Sequence, residues 1–328
     1  MPRYRRLSLQ DREECSRMFA TQGSLRAIAR SLGRAPSSLT RELVRNRTTP
    51  GTYRAVPAQR RARRLACQPR APRKLQTQLA LQAVVVAQLR ARWSPRQIAQ
   101  RLPVLYPDAP TMRISHEAIY TYLYVLPRGA LKRELLQALR RHHAERRPRH
   151  RRRLSRRPVQ DMLSIEERPV EVADRTVPGH WEGDLLMGRR NASALGTLVE
   201  RTTRLTLLVP LAAKDATTVR EAFARALRRL PQALTRSLTY DQGQEMREHR
   251  LFTAETQLQV YFAQPHCPWE RGTNENTNGL LRQFFPKGTD FHRLSRAHIR
   301  HVQTLFNGRP RAVLQWRTPD EAFSALLH

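Results

Sequence analysis

Three acids in the sequence stand where a carboxylate can do chemistry. Asp184 lies inside the apolar run HWEGDLLMG, Asp241 ends the short run SLTYDQG, and Glu275 sits between two asparagines in PWERGTNENTNGLLRQFFPKG, near the expected start of a helix. Sites in open α/β sheets form at the carboxyl ends of adjacent strands, so Asp184 and Asp241 reach one crevice if their strands are neighbours. Glu275 can join them from its helix. Three converging carboxylates cannot all stay ionised without a compensating cation. Oxygen donors without a nearby His/Cys cluster favour Mg²⁺ or Mn²⁺. Two such ions about 3.5–4 Å apart would activate an attacking oxygen and stabilise a leaving one at a phosphodiester. Each acid alone reads as an ordinary surface residue; their settings together carry the inference. Asp241 and Glu275 are separated by 33 residues, and Arg282 follows Glu275 by seven. That spacing puts Arg282 on the same helix face, where it would hold a phosphate backbone beside the metals. Glu182 competes with Asp184, because residues two apart on a strand share a face. Glu245 and Glu270 compete less well.

The composition supplies a partner for such a site. The chain has 328 residues, 40% of them hydrophobic, which is enough for two or three domains with packed cores. Lys and Arg number 60 against 27 Asp and Glu, a formal net charge of +33. Self-repulsion at that level disfavours a compact state unless a polyanion is the partner. Double-stranded DNA fits better than a membrane, since neither a lipid-facing helix nor a lipidation signal accompanies the charge. Cys15, Cys67 and Cys267 are isolated and odd in number, which argues against a zinc knuckle or a disulfide framework. The N-terminus lacks the apolar core of a signal peptide. Apolar stretches such as LALQAVVVAQL are too short to span a bilayer. A soluble, cytoplasmic protein is expected.

The elements that would bring DNA to the acids are helical and come first. Residues 1–50 read as a helix-turn-helix domain. Ser8 and Asp11 form a capping box, LRAIARSLG places Leu25, Ile28, Ala29 and Leu32 at helical spacing, and Gly33 breaks the chain before PSSLTRELVRN. In that last helix Leu39, Leu43 and Val44 are expected to face inward. Ser37, Ser38, Thr40, Arg41 and Arg45 are then exposed and able to reach a major groove. Residues 51–78 read as a basic connector along the DNA backbone. Residues 79–138 read as a second helical DNA-binding unit. Trp93-Ser94-Pro95 starts one helix, and ISHEAIYTYLY starts another at Ser115, with Ser115 and His116 as candidate contacts. Residues 139–168 form an Arg-rich linker. Its stretch 140–157 holds ten arginines, three histidines and one acid, a composition that cannot build a core.

From about Pro169 the pattern turns to strands. GHWEGDLLMG, the hairpin ALGTLVERTTRLTLLVPL, SLTYD and LQVYFA read as strands. Helices are expected over DATTVREAFARALRRL with Asp215 as cap, over QEMREHRLFTAETQ, from about Asn274 to Phe284 with Asn274 as cap, and over Ser295 to Phe306. Residues 169–328 are therefore an α/β domain with helices on the faces of a sheet.

HWEGDLL, LTYDQGQEM, VYFAQPHCPWERGTNENTNGLLRQFFPKGTDF and FNGRPRAVLQWRTP together resemble the catalytic domain of the IS-thirty family of bacterial insertion-sequence transposases. The segment running into SSLTRELVRN resembles that family's DNA-binding region. The resemblance covers nearly the whole chain. It implies a ribonuclease H-like mixed-sheet, integrase-type catalytic domain, and a DDE triad on Asp184, Asp241 and Glu275. It also implies two divalent metal ions, recognition of terminal inverted repeats, metal-dependent strand cleavage and strand transfer, and action as a homo-oligomer on DNA. Glu270 departs from the family pattern, where a Gln is common. The alternative is a catalytically inactive, transposase-derived DNA-binding regulator. In FNGRPRAVLQWRTPDEAF, Asn307, Arg309 and Arg311 either contact DNA or cap the fold.

Overall fold

A computed structural model of the chain describes residues 6–46, 52–67, 73–139, 161–264 and 267–327. These belong to two compact units, Met1–Pro72 and Arg73–His328. Among the described residues no helix is long and apolar enough to cross a membrane. The three cysteines are free.

The first unit holds α1 (Leu9–Ala20), α2 (Leu25–Ser31), α3 (Pro36–Asn46) and α4 (Ala55–Cys67). The capping box forms as expected, with the Asp11 amide donating to Ser8 and the Ser8 amide to Asp11. Gly33 takes φ +60° in the α2–α3 turn, a conformation open to glycine at little cost. Cys15, Ile28, Leu39, Leu43 and Ala58 form the core. Val44 corrects an expectation, being 79% exposed. Leu39 and Leu43 are four apart and share the inward stripe, and Val44 lies about 100° beyond Leu43. The basic segment after residue 50, expected as a connector along the DNA backbone, is helical and joins the core of this unit. Tyr53 and Ala58 are buried, and α4 packs on α1. Alanines along one face let that helix approach closely while its arginines stay outside. Arg12 grips Glu42 through two hydrogen bonds of 2.8 and 3.1 Å, and the Tyr53 hydroxyl donates to the same carboxylate at 3.0 Å.

The second unit opens with α5 (Lys74–Thr77), α6 (Leu79–Arg90), α7 (Pro95–Leu105), α8 (His116–Val125) and α9 (Ala130–Gln137). Ser94 and Ser115 cap α7 and α8 as expected. Val85, Leu89, Ile98, Leu102, Ile119 and Leu123 interlock in their core. This helical group is clasped to the C-terminal part of the chain. Arg92 donates to the Gln283 carbonyl at 2.8 Å and lies over the Phe284 ring. Gln97 donates to the Pro310 carbonyl at 2.7 Å, and the buried Arg101 pairs with Glu321. Most of the expected Arg-rich linker, residues 140–160, lies outside the described residues.

The remainder forms a six-stranded sheet in the order β1-β6-β5-β2-β3-β4, from β1 (Leu163–Ser164), β2 (His180–Met187), β3 (Ala194–Glu200), β4 (Thr206–Pro210), β5 (Ser237–Tyr240) and β6 (Gln259–Phe262). β2, β3 and β4 are antiparallel, while β5, β6 and β1 continue in parallel from β2. This mixed sheet is the ribonuclease H-like arrangement expected; the two-residue β1 is an addition too short for a pattern to show. Helix α10 (Val170–Asp174) precedes β2. Helices α11 (Ala216–Leu227) and α12 (His249–Thr256) pack on one face through Phe223 and Phe252; α13 (Gly272–Leu281) and α14 (Arg296–Asn307) pack on the other through Leu281, Phe285, Ile299 and Phe306. Asp215 caps α11 as expected. Helix α15 (Pro319–Ser324) ends the described chain.

Alternation along β2 sends Trp181 toward α11 and sends Glu182, Asp184 and Leu186 toward α13. Gly183 faces the Tyr240 ring, and a Cβ there would lie 2.6 Å from it. Glu182 is fully buried and bonds Arg201 at 2.8 Å and the Asn274 amide at 2.8 Å. Asn274 is therefore not the helix cap: the cap position is Arg271, and a carboxylate from β2 accepts the first-turn amide instead. Asn307 and Arg309 make hydrogen bonds inside the fold. Asn307 exchanges two hydrogen bonds with the Thr206 backbone, Arg309 bonds Gln283, and Arg311 stacks on Phe306.

Glu182→Ala would leave Arg201 as an uncompensated buried charge and α13 without its cap acceptor. We expect a loss of about 3–5 kcal/mol in stability, read from denaturant unfolding. A loss within experimental error of that for the half-exposed Glu171→Ala would contradict this account.

Candidate active site

Parallel pairing of β2 with β5 sets the first distance of the site. Trp181 pairs with Leu238 and Glu182 with Thr239. Two residues further along both strands, Asp184 and Asp241 stand side by side at the carboxyl end of β5. Arg271, at the entry to α13, joins them. Its guanidinium is 3.1 Å from Asp241 Oδ2 and 3.8 Å from Asp184 Oδ1, and it also donates to the Gly183 carbonyl at 3.1 Å. Asn278 donates to Asp184 Oδ2 at 2.8 Å, while the Leu185 amide donates to Oδ1 at 2.8 Å. Both oxygens of Asp184 are thus oriented. Thr197, across β3, lies between the Asp184 carbonyl at 3.1 Å and Asn274 Oδ1 at 3.2 Å.

Burial pushes the Asp184 carboxyl up to about 6, the Arg271 guanidinium works in the opposite direction, and Asp241 and Glu245 add to the rise. Asp241 is more open to solvent, and its other oxygen accepts the Gly243 amide at 3.1 Å. Two carboxylates side by side, one of them hard to ionise, make a place where positive charge is favourable.

Glu275 is exposed. Helix α13 turns Arg271, Asn274 and Asn278 toward the sheet, and Glu275 lies about 100° past Asn274, on the rim of the same stripe. The structure brings Asp184 and Asp241 together and leaves Glu275 outside their contact. Among the described residues, no three His, Cys, Asp or Glu side chains form a group able to hold a metal ion. Glu182 drops out as a competitor, because both its oxygens are held in the buried pair. Glu270 accepts the Gln264 amide at 2.8 Å.

Arg282 turns inward. It ends α13, donates to the Met187 carbonyl at 2.9 Å, and its burial lowers its pKa. It props the end of β2. Sequence reasoning passed over Arg271, which sits four residues before Glu275 and so on its helix stripe. Asn278, one turn after Asn274, is the side chain of α13 that donates to Asp184.

Among the helical candidates, Ser37, Thr40, Arg41 and Arg45 are exposed on α3, and Ser38 is half-buried. Ser38, Arg41 and Arg45 line one groove of about 510 Å³ with Arg6 and Arg34. Ser115 and His116 are exposed at the start of α8, where the Ser115 hydroxyl accepts the Ala118 amide at 3.2 Å and His116 lies 3.4 Å from Glu117.

Comparison with known proteins agrees with both parts. Residues 3–46 match the model of a helix-turn-helix domain, and residues 174–268 match the integrase core domain. The transposase for insertion sequence element IS1086 of Cupriavidus metallidurans is 45% identical, over 99% of this chain and 96% of its own length. Transposase InsI for insertion sequence element IS30A of Escherichia coli is 42% identical, over 96% of this chain and 82% of its own. The transposase for insertion sequence element IS4351 of Bacteroides fragilis is 32% identical, over 97% and 95%. Similarity of this degree along nearly the whole length shows that the chain belongs to the IS-thirty family of bacterial insertion-sequence transposases.

Proposed function

We propose that the chain is a DNA transposase that binds the terminal inverted repeats of an insertion sequence, cuts a strand at the element end and joins it to a target, acting as a homo-oligomer on double-stranded DNA. The placement of Asp184 beside Asp241 on neighbouring strands, under a helix that carries Glu275, is the observation that supports it. Water would open the phosphodiester, leaving a 3′-hydroxyl. That hydroxyl would attack a second phosphodiester, with no covalent protein intermediate.

Asp184, Asp241 and Glu275 are the residues proposed to hold two Mg²⁺ or Mn²⁺ ions. The two aspartates fit: their donors are hard oxygens, and a cationic guanidinium already lies within ion-pair reach of both. When bound, such ions lower the pKa of an attacking water and neutralise charge at the phosphodiester. The chain's own part is positioning. Asn278 and the Leu185 amide fix the Asp184 carboxylate. Arg271, tethered to the Gly183 carbonyl, offers positive charge beside the reacting phosphate. Glu275 would join them from the helix rim. DNA would be held by Ser37, Ser38, Thr40, Arg41 and Arg45 of α3 and by Ser115 and His116 of α8.

Asp184→Asn, Asp241→Asn and Glu275→Gln should each abolish cleavage and strand transfer on an end-containing duplex while leaving end binding intact. Full strand transfer by any one variant would remove that acid from the triad, and a wild type silent in both Mg²⁺ and Mn²⁺ would point to a regulator. Asp184 must shed its proton to bind a cation. With its carboxyl near 6, ion affinity should therefore fall as pH drops, to about a tenth at pH 5 of its value at pH 7; calorimetric titration reads this, and tighter binding in acid would exclude Asp184 as a ligand. Replacing Arg41 with alanine should cost about 1–3 kcal/mol at a single base pair of the end if it reads a guanine, or weaken binding uniformly across sequences if it holds phosphate, measured by competition with substituted ends.

A further inference from the structure

On the flank of α13 away from the aspartates lies a cavity of about 350 Å³. Arg175, Arg204 and Arg311 line it together with Thr273, Asn276 and Thr277 of α13, and among the described residues no acid lines it. The nearby acids are already engaged. Glu182 holds Arg201 and the Asn274 amide, and Glu200 holds the Gly179 and Thr203 amides and the Thr203 hydroxyl. Arg204 is half-buried and donates to a neutral acceptor, the Thr273 hydroxyl, at 2.6 Å. Its charged state is disfavoured first by burial and then by the neighbouring Arg175, with Arg201 adding to the effect. Burial likewise lowers Arg168 and Arg201, with Arg175 adding to both, while Glu182 works in the opposite direction on all three. A pocket of crowded guanidiniums without a facing carboxylate is stabilised by an anion, and the planar forks of arginine suit a phosphate.

We propose that this cavity seats a backbone phosphate of the DNA strand that lies across α13. The inference rests on the reading of the chain as a DNA-cutting enzyme. One stripe of the helix, Asn274 and Asn278, faces the aspartates, and the adjoining stripe, Thr273, Asn276 and Thr277, faces the cavity. A strand delivered to Asp184 and Asp241 thus meets the arginines on the neighbouring flank, which fixes its path over the helix. The contact is to phosphate and carries no sequence information.

The test uses the full chain with Arg175→Ala, whose side chain is exposed, and with Arg175→Ala combined with Arg204→Gln. Binding to a labelled end-containing duplex and to a scrambled duplex is followed by anisotropy from about 50 to 200 mM salt, with melting temperatures taken in parallel. Each lost phosphate contact should flatten the plot of log affinity against log salt by about 0.9, equally on both duplexes. A slope equal to that of the wild type in Arg175→Ala overturns the phosphate seat, as does a loss confined to the end sequence. Should the double variant melt early, the single variant decides. A wild type with no affinity for either duplex overturns the functional reading as well, so the two failures are told apart.

Discussion

Glu182 lies on the same face of β2 as Asp184 and is closed off from water, with Arg201 on one oxygen and the first turn of α13 on the other. A buried carboxylate is tolerated only when it is paired and hydrogen-bonded, so neither partner can drift far. The consequence falls on the rest of the site. Fixing Asn274 to Glu182 fixes the rotation of α13 about its own axis. That rotation sends Asn278 to Asp184, Arg271 to both aspartates and Glu275 to the rim. The position of each of these side chains on the helix follows from one buried carboxylate.

The charge of the chain divides into two populations. Arg12, Arg101, Arg201 and Arg309 are all nearly inaccessible, and each is tied to an acid or an amide inside the fold. The arginines of α3 and of the flank of α13 stand at surfaces and cavities instead. The count of 60 Lys and Arg therefore overstates what is free to meet a polyanion. Arginine serves the interior because its planar fork can satisfy several acceptors at once.

Period and punctuation made much of the fold legible. The strands, the α11 cap, the paired helices at each end and the settings of Asp184 and Asp241 all follow from residues close in sequence. What the sequence hid depends on partners far away in it. Asn274 looks like a cap because asparagine caps helices locally, yet the acceptor is supplied by Glu182, 92 residues earlier. Arg282 shares a helix stripe with Glu275, but the open carbonyl at the end of β2 draws it inward. The segment after residue 50 is so basic that its small residues, which let α4 nest against α1, are easily overlooked. In the C-terminal segment, the capping role of Asn307 depends on the exposed edge of β4, 101 residues earlier in the sequence.

The clasp between α7 and the C-terminal part of the chain has a metrical consequence. Arg92 grips the backbone two residues after α13 ends, and Arg101 grips α15. The group of helices that includes α8 is thereby gauged against the helix that carries Glu275. A duplex seated on α8 would meet the aspartates at one set interval along its axis. The position of the cut would then be measured out by the protein, as a jig holds a workpiece, rather than found by search.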